Sequence, residues 1–223
     1  MTKGYIFDYG GTLDTGGNHW GKVIWHAYER QHVPVTEQQF REAYVHAERT
    51  LGRNPIIKPD FTFRRTLQEK IRIELEFLHQ EGYVEAVVSD LYAVTSAETA
   101  RSREVLLQLK QQYPMVLVSN FYGNIATVLA EFGLDNIFSR IIESAVVGVR
   151  KPDPRIFSLG VEALDLEPGS VVVVGDSIDK DIIPARQAGC RTVWFKGEGW
   201  TDDPVDASAA DNIITRLEEL VSK

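Results

Sequence analysis

Five short apolar runs, each bounded by turn residues, constrain the fold of this chain more than any other feature. They are Gly4–Asp8, Met115–Ser119, Ile141–Glu143, Val171–Gly175 and Thr192–Phe195. A run with no polar alternation suits a strand covered on both faces, as in a parallel sheet with helices on either side. Helical patterns separate the last four runs, and strand–helix alternation predicts a doubly wound α/β fold.

The stretch between the first and second runs differs. Thr36-Glu37-Gln38-Gln39 reads as a capping box. Behind it Phe40, Ala43, Tyr44, Ala47 and Leu51 recur at helical spacing, and Gly52 is expected to end that helix. A second helix is expected over 63–80, with Leu67, Ile71, Leu75 and Leu78 on one stripe and Gly82 as its stop. A third, ending near Gln112, carries Val105, Leu106 and Leu109. The expected division is an α/β core of residues 1–14 and 111–223, with a helical domain over 15–110 inserted at the Gly-rich linker Thr15-Gly16-Gly17.

Charge and composition remove whole classes of function. Lys and Arg number 24 against 32 Asp and Glu, a net charge of −8, which argues against a general nucleic-acid binder. No apolar run approaches a membrane span, and Tyr5-Ile6-Phe7 is too short for a secretory signal. The single cysteine, Cys190, excludes an internal disulfide framework and a multi-cysteine zinc site. A cytoplasmic protein is expected, with no nucleic-acid or membrane partner; the oligomeric state is left open.

Four polar segments fall at the C-terminal ends of the expected strands, where open α/β sheets bind ligands. Asp8 meets Gly10 and Gly11, where the backbone can turn sharply, and its carboxylate suits a hard cation or a nucleophile. Ser119-Asn120 offers a hydroxyl and amides to an anion. Lys151 offers a positive charge to an anionic substrate. Asp176, Asp179 and Asp181 offer oxygen ligands of the kind that favour Mg²⁺. Each alone has an ordinary structural explanation, as a turn, a cap or a solvated charge; their succession at four strand ends does not.

In that order and spacing, Asp8…Thr12, Ser119, Lys151 and Gly175-Asp176…Asp181 resemble the four motifs of the haloacid dehalogenase-like (HAD) hydrolase superfamily. The resemblance covers about residues 3–14 and 112–195, with Lys151-Pro152-Asp153-Pro154 and Gly175-Asp176-Ser177 especially similar. It implies a Rossmann-like core and an α-helical cap. It also implies a Mg²⁺-dependent hydrolase of a small phosphorylated substrate, working through an aspartyl-phosphate. Carried over by position, Asp8 is the nucleophile, while Ser119 and Lys151 assist the transfer. Gly11, Thr12, Ser119, Asn120 and Lys151 bind phosphate. Asp8, the Gly10 carbonyl, Asp176 and Asp181 hold the metal.

One position departs from the pattern. Family phosphatases carry a second Asp, the acid/base, where this chain has Gly10. A missing acid/base typically costs about 10²–10⁴-fold in rate. One explanation keeps phosphoryl transfer, with a good leaving group or a substitute acid; His19, expected to titrate near neutrality, is the candidate, with Asp14 also nearby. A second is a phosphonoacetaldehyde hydrolase-type C–P cleavage, which needs a cap lysine such as Lys22, Lys58 or Lys70. Dehalogenases lack the second Asp too, but also lose the metal-binding Asp, present here as Asp176. The third is a non-catalytic protein that binds a phosphorylated ligand.

Overall fold

The computed structural model describes residues 1–201 and 203–221. Its centre is a six-stranded parallel sheet: β1 (Gly4–Phe7), β2 (Met115–Ser119), β3 (Arg140–Glu143), β4 (Val171–Gly175), β5 (Arg191–Phe195) and β6 (Asn212–Ile214). The spatial order is β3-β2-β1-β4-β5-β6. β1 lies between β2 and β4, with Tyr5 opposite Met115 on one side and Val172 on the other. The chain reverses its direction of winding at β1, so the crevice beyond its C-terminal end is the place to expect a ligand.

The apolar runs lack alternation because both faces of the sheet are buried. Tyr5 and Phe7 face one core with Leu117, Val174 and the inserted helices. Ile6 faces the other with Val118, Val173 and Phe157, as the two-residue period of a strand requires. Phe157 belongs to α7 (Arg155–Leu164); the other helices after β2 are α5 (Ile125–Glu131), α6 (Ser144–Val147) and α8 (Ile183–Gln187). β6 escaped sequence analysis because it is an edge strand of three residues whose Ile213 is exposed.

Four helices separate β1 from β2: α1 (Trp20–Arg30), α2 (Glu37–Arg53), α3 (Phe63–Phe77) and α4 (Val84–Lys110). α2 opens with the expected capping box on Thr36 and Gln39. Two expected stops are corrected. Gly52 lies inside α2, its Cα facing open space, and the helix ends at Arg53. α3 stops before Gly82, because His79 turns the chain at φ 56. α4 is much longer than its apolar end suggested. Val87, Val88 and Leu91 begin the buried stripe and Val105, Leu106 and Leu109 finish it, but Thr95, Thr99 and Ser102 fill the middle and hide the period. Among the described residues no helix is long and apolar enough to cross a membrane.

The central strand should carry more stability than the edge. Ile6→Ala, fully buried between two neighbouring strands, is expected to cost about 2–5 kcal/mol by chemical denaturation. Ile213→Ala at the exposed edge should stay within about 0.5 kcal/mol.

Candidate active site

The C-terminal ends of β1 and β4 bring three carboxylates and one ammonium together. Asp8 follows β1, and its amide is held by the carbonyl of Val174 in β4. Asp176 follows β4, and Asp181 sits on a π-helical turn, Ile178–Ile182, an uncommon geometry found mostly at functional sites. Lys151 lies 2.6 Å from an oxygen of Asp8 and 2.6 Å from one of Asp181, and all three are buried. The Thr12 hydroxyl donates to Asp176 at 3.1 Å, and the Ser177 amide donates to Asp181 at 3.0 Å. Gly11 permits the close approach: its φ is +97°, and a Cβ there would lie 2.5 Å from the Asp176 carboxylate.

The expected site residues divide by position. Asp8, Gly10, Gly11, Asn120, Lys151, Asp176 and Asp181 line one cavity of about 210 Å³. Thr12 and Ser119 are buried but do not line that wall. Asp179 is exposed and does not line the cavity. Asn120, expected to meet phosphate, spends its amide elsewhere. It donates to the Lys151 carbonyl and accepts from the Lys151 amide, both at 3.0 Å, and so holds the lysine's backbone in place.

Burial dominates the ionisation of the site. It pushes Asp8 up to about 6 against the pull of Lys151, with Asp181 adding repulsion. Burial, then Asp181 and Asp8, raise Asp176 well above the usual carboxylate range. Burial alone would lower Lys151, but Asp181 and Asp8 raise it, so it stays an ammonium. Oxygens of Asp8, Asp176 and Asp181 lie within 4.8 Å of one another. Carboxylates this close, with one cation among them, fit a hard divalent ion, which would favour their charged forms.

Helices α1–α3 form the opposite wall, where His19, Trp20, Tyr44, Glu48, Phe63 and Lys70 face the cavity. His19 differs from expectation. Its Nδ1 caps α1 by accepting from the Gly21 amide at 3.0 Å. Burial, with Lys180 nearby, pushes the ring down to about 4, so it is neutral at pH 7 rather than titrating there. Asp14 also reaches the cavity, where its two oxygens accept from the Gly11 amide at 2.7 Å and from the Trp20 indole at 3.0 Å. Burial pushes this carboxyl up to about 8. Sequence reasoning gave no specific role to the ion pair of Glu48 with Lys70. The two sit on different helices with no shared motif, and only packing brings them together.

Over residues 2–189 the chain matches the haloacid dehalogenase-like hydrolases, and it belongs to that family. Among individual relatives it is 31% identical over 127 residues to a glyceraldehyde 3-phosphate phosphatase of Pyrococcus furiosus, covering 56% of this chain and 53% of that one. It is 40% identical over 72 residues to a phosphoserine phosphatase of Thermus thermophilus, covering 32% and 29%. The chain therefore spans about half the length, or less, of these curated relatives. A solved dehalogenase shares the fold at TM-score 0.65 and 19% identity, covering 98% of this chain and 95% of that one. A HAD phosphatase from Thermococcus onnurineus does so at 0.57 and 21%, covering 98% and 96%.

The raised carboxyls set a pH dependence. Asp8, Glu74 and Asp14 titrate near 6, 7 and 8 when folded, above their ordinary values. The folded state then binds more protons than the unfolded one between about pH 4 and about pH 8, so this stabilisation is present at the acid end and lost as pH rises. Thermal unfolding in EDTA should show Tm falling from about pH 5 to about pH 8. Added Mg²⁺ should raise Tm, more at pH 8 than at pH 5, because it favours the ionised carboxylates.

Proposed function

We propose that this chain is a Mg²⁺-dependent phosphohydrolase that cleaves a small phosphate monoester by way of an aspartyl-phosphate on Asp8. The observation that carries the reading is the buried Lys151 ammonium, in contact with both Asp8 and Asp181 on the wall of the cavity. Relatives named as phosphatases of glyceraldehyde 3-phosphate, phosphoserine and phosphoglycolate support a small monoester.

An oxygen of Asp8 attacks phosphorus, and the bond from phosphorus to the leaving oxygen breaks, its electron pair staying with that oxygen. Water then attacks phosphorus, releases phosphate and returns the Asp8 carboxylate. Lys151 holds the nucleophile and offsets charge on the transferring group. Asp8, Asp176, Asp181 and the Gly10 carbonyl would hold Mg²⁺, which offsets the repulsion between a carboxylate and a phosphate dianion. The α/β core is residues 1–14 and 111–223, of which 202, 222 and 223 lie outside the described residues. Residues 15–110 form a cap that encloses the substrate and excludes water. A single cysteine suits the reducing cytoplasm.

C–P cleavage through a lysine imine is less well supported. Lys70 is the lysine of α1–α4 on the cavity wall. Burial alone would lower its pKa, but Glu48, Tyr44 and Tyr122 raise it well above the ordinary value. It is therefore an ammonium, whereas imine formation needs a free amine.

Asp8→Asn should lower single-turnover hydrolysis of p-nitrophenyl phosphate by at least about 10³-fold with the fold retained by circular dichroism; wild-type turnover in that variant would overturn the assignment. A second test addresses Gly10. Its backbone is not left-handed, and a Cβ there would come no nearer than 3.8 Å to Trp20. Aspartate is therefore accommodated. Wild type should cleave acetyl phosphate and p-nitrophenyl phosphate much faster than a hexose phosphate. Gly10→Asp should accelerate the hexose phosphate most, by about 10²-fold or more. Equal single-turnover rates on all three in wild type would show that Gly10 is not limiting.

A further inference from the structure

The wall contributed by α2 and α3 carries an ion pair that phosphoryl transfer does not use. Glu48 and Lys70 bond across the two helices and both face the cavity. The Lys70 side chain is 9% exposed and that of Glu48 40%. Lys70 also lies over the Tyr44 ring, its nitrogen 4.4 Å from the centroid. The Tyr122 hydroxyl, from the core side, reaches Glu48 at 3.4 Å. Both the Lys70 and the Tyr122 contacts fall on Oε1 of Glu48, and Oε2 takes neither. The wall thus presents a carboxylate oxygen as acceptor beside an ammonium that has three N–H donors and one carboxylate partner.

A pair of apolar side chains would join the same helices without the penalty of desolvating two charges. The pair is also close to neutral as a unit. Glu74, four residues on from Lys70, does not line the cavity, and its carboxylate oxygen Oε2 accepts from Tyr28 at 3.1 Å. Arg150 and Lys180 reach the cavity but are exposed, so solvent screens them. A leaving group with a single charge would leave one member of the pair opposed by a like charge. A leaving group with both charges matches both members.

We propose that Glu48 and Lys70 form the subsite for the leaving group and select a phosphate monoester carrying an ammonium and a carboxylate together, as a phosphorylated α-amino acid does. The proposal rests on the phosphohydrolase reading of the same cavity. The ammonium of the substrate meets Glu48 and its carboxylate meets Lys70, exchanging one ion pair for two. The phosphoryl group meanwhile lies against Asp8 and Lys151. A volume of about 210 Å³ suits a small leaving group.

The test compares alkyl phosphates whose leaving oxygens are chemically alike: O-phospho-L-serine, phosphoglycolate, O-phosphoethanolamine and glycerol 3-phosphate, with Mg²⁺. Phosphoserine should exceed each of the others in kcat/KM by about tenfold or more. In the double variant Glu48→Gln/Lys70→Met, which nearly keeps the side-chain lengths and removes both charges of the pair together, the preference for phosphoserine over glycerol 3-phosphate should fall by about tenfold or more. Preference for phosphoglycolate or glycerol 3-phosphate in wild type would overturn the proposal, as would an unchanged ratio in a folded double variant. Failure of the phosphohydrolase reading looks different: p-nitrophenyl phosphate is not turned over at all. Calorimetric binding of O-phospho-L-serine then tests the subsite by itself. Weaker binding to the double variant than to wild type supports it, and equal binding overturns it.

Discussion

One buried ammonium holds the site together. Strand topology drives Asp8, Asp176 and Asp181 to the same end of the sheet, where burial penalises every charge. Lys151 touches two of the three carboxylates at 2.6 Å each. Three carboxylates against one ammonium leave a net charge of minus two if all ionise. The protein without metal meets that imbalance by raising the Asp8 and Asp176 carboxyls; a divalent cation would remove it. Asn120 matters for the same reason, since its side-chain amide brackets the Lys151 backbone and fixes where the ammonium starts.

The two glycines after Asp8 differ in kind. Gly11 is required by geometry: any side chain there would collide with Asp176, and its backbone is left-handed. Gly10 is required by neither space nor backbone, for its Cβ position is open to 3.8 Å and its φ is ordinary. The missing carboxylate is thus a chemical property of the site and not a packing necessity. No neighbour stands in obviously for it. His19 spends Nδ1 on a helix cap and is neutral, and Asp14 has both oxygens held by N–H donors.

Much of this was legible in the sequence where local pattern and tertiary role coincide. The five apolar runs became five of the six strands, because a strand buried on both faces needs no partner to declare itself. Asp8, Lys151, Asp176 and Asp181 stood at strand ends, and topology alone brings such ends together. The remainder depended on contacts that sequence spacing does not encode. The full length of α4 was hidden by Thr95, Thr99 and Ser102 on its buried face. The division of labour between Ser119, off the cavity wall, and Asn120, committed to Lys151, is set by how the Lys151 segment passes β2. Glu48 and Lys70 meet only because α2 packs on α3.

The segment after β5 ties the helical insertion to the sheet a second time. The Gly197 amide donates to the Gly17 carbonyl at 3.1 Å, and the His19 amide to the Glu198 carbonyl at 2.8 Å, so the linker out of β1 is paired along its length. Beyond it, Arg41 of α2 donates to the Trp200 carbonyl at 2.8 Å and lies 4.3 Å over the Trp200 ring. The same ring packs on His19 and Tyr44, both on the cavity wall. These are polar and aromatic contacts near the surface, weaker individually than the apolar core that anchors α4 to the sheet. A rotation of α1–α3 away from Asp8 would break these contacts to residues 197–200 and also the apolar contacts of α1 and α3 with α4. The position of Glu48 and Lys70 on the cavity wall then depends both on the packing of α1–α3 against α4 and on the contacts of residues 197–200.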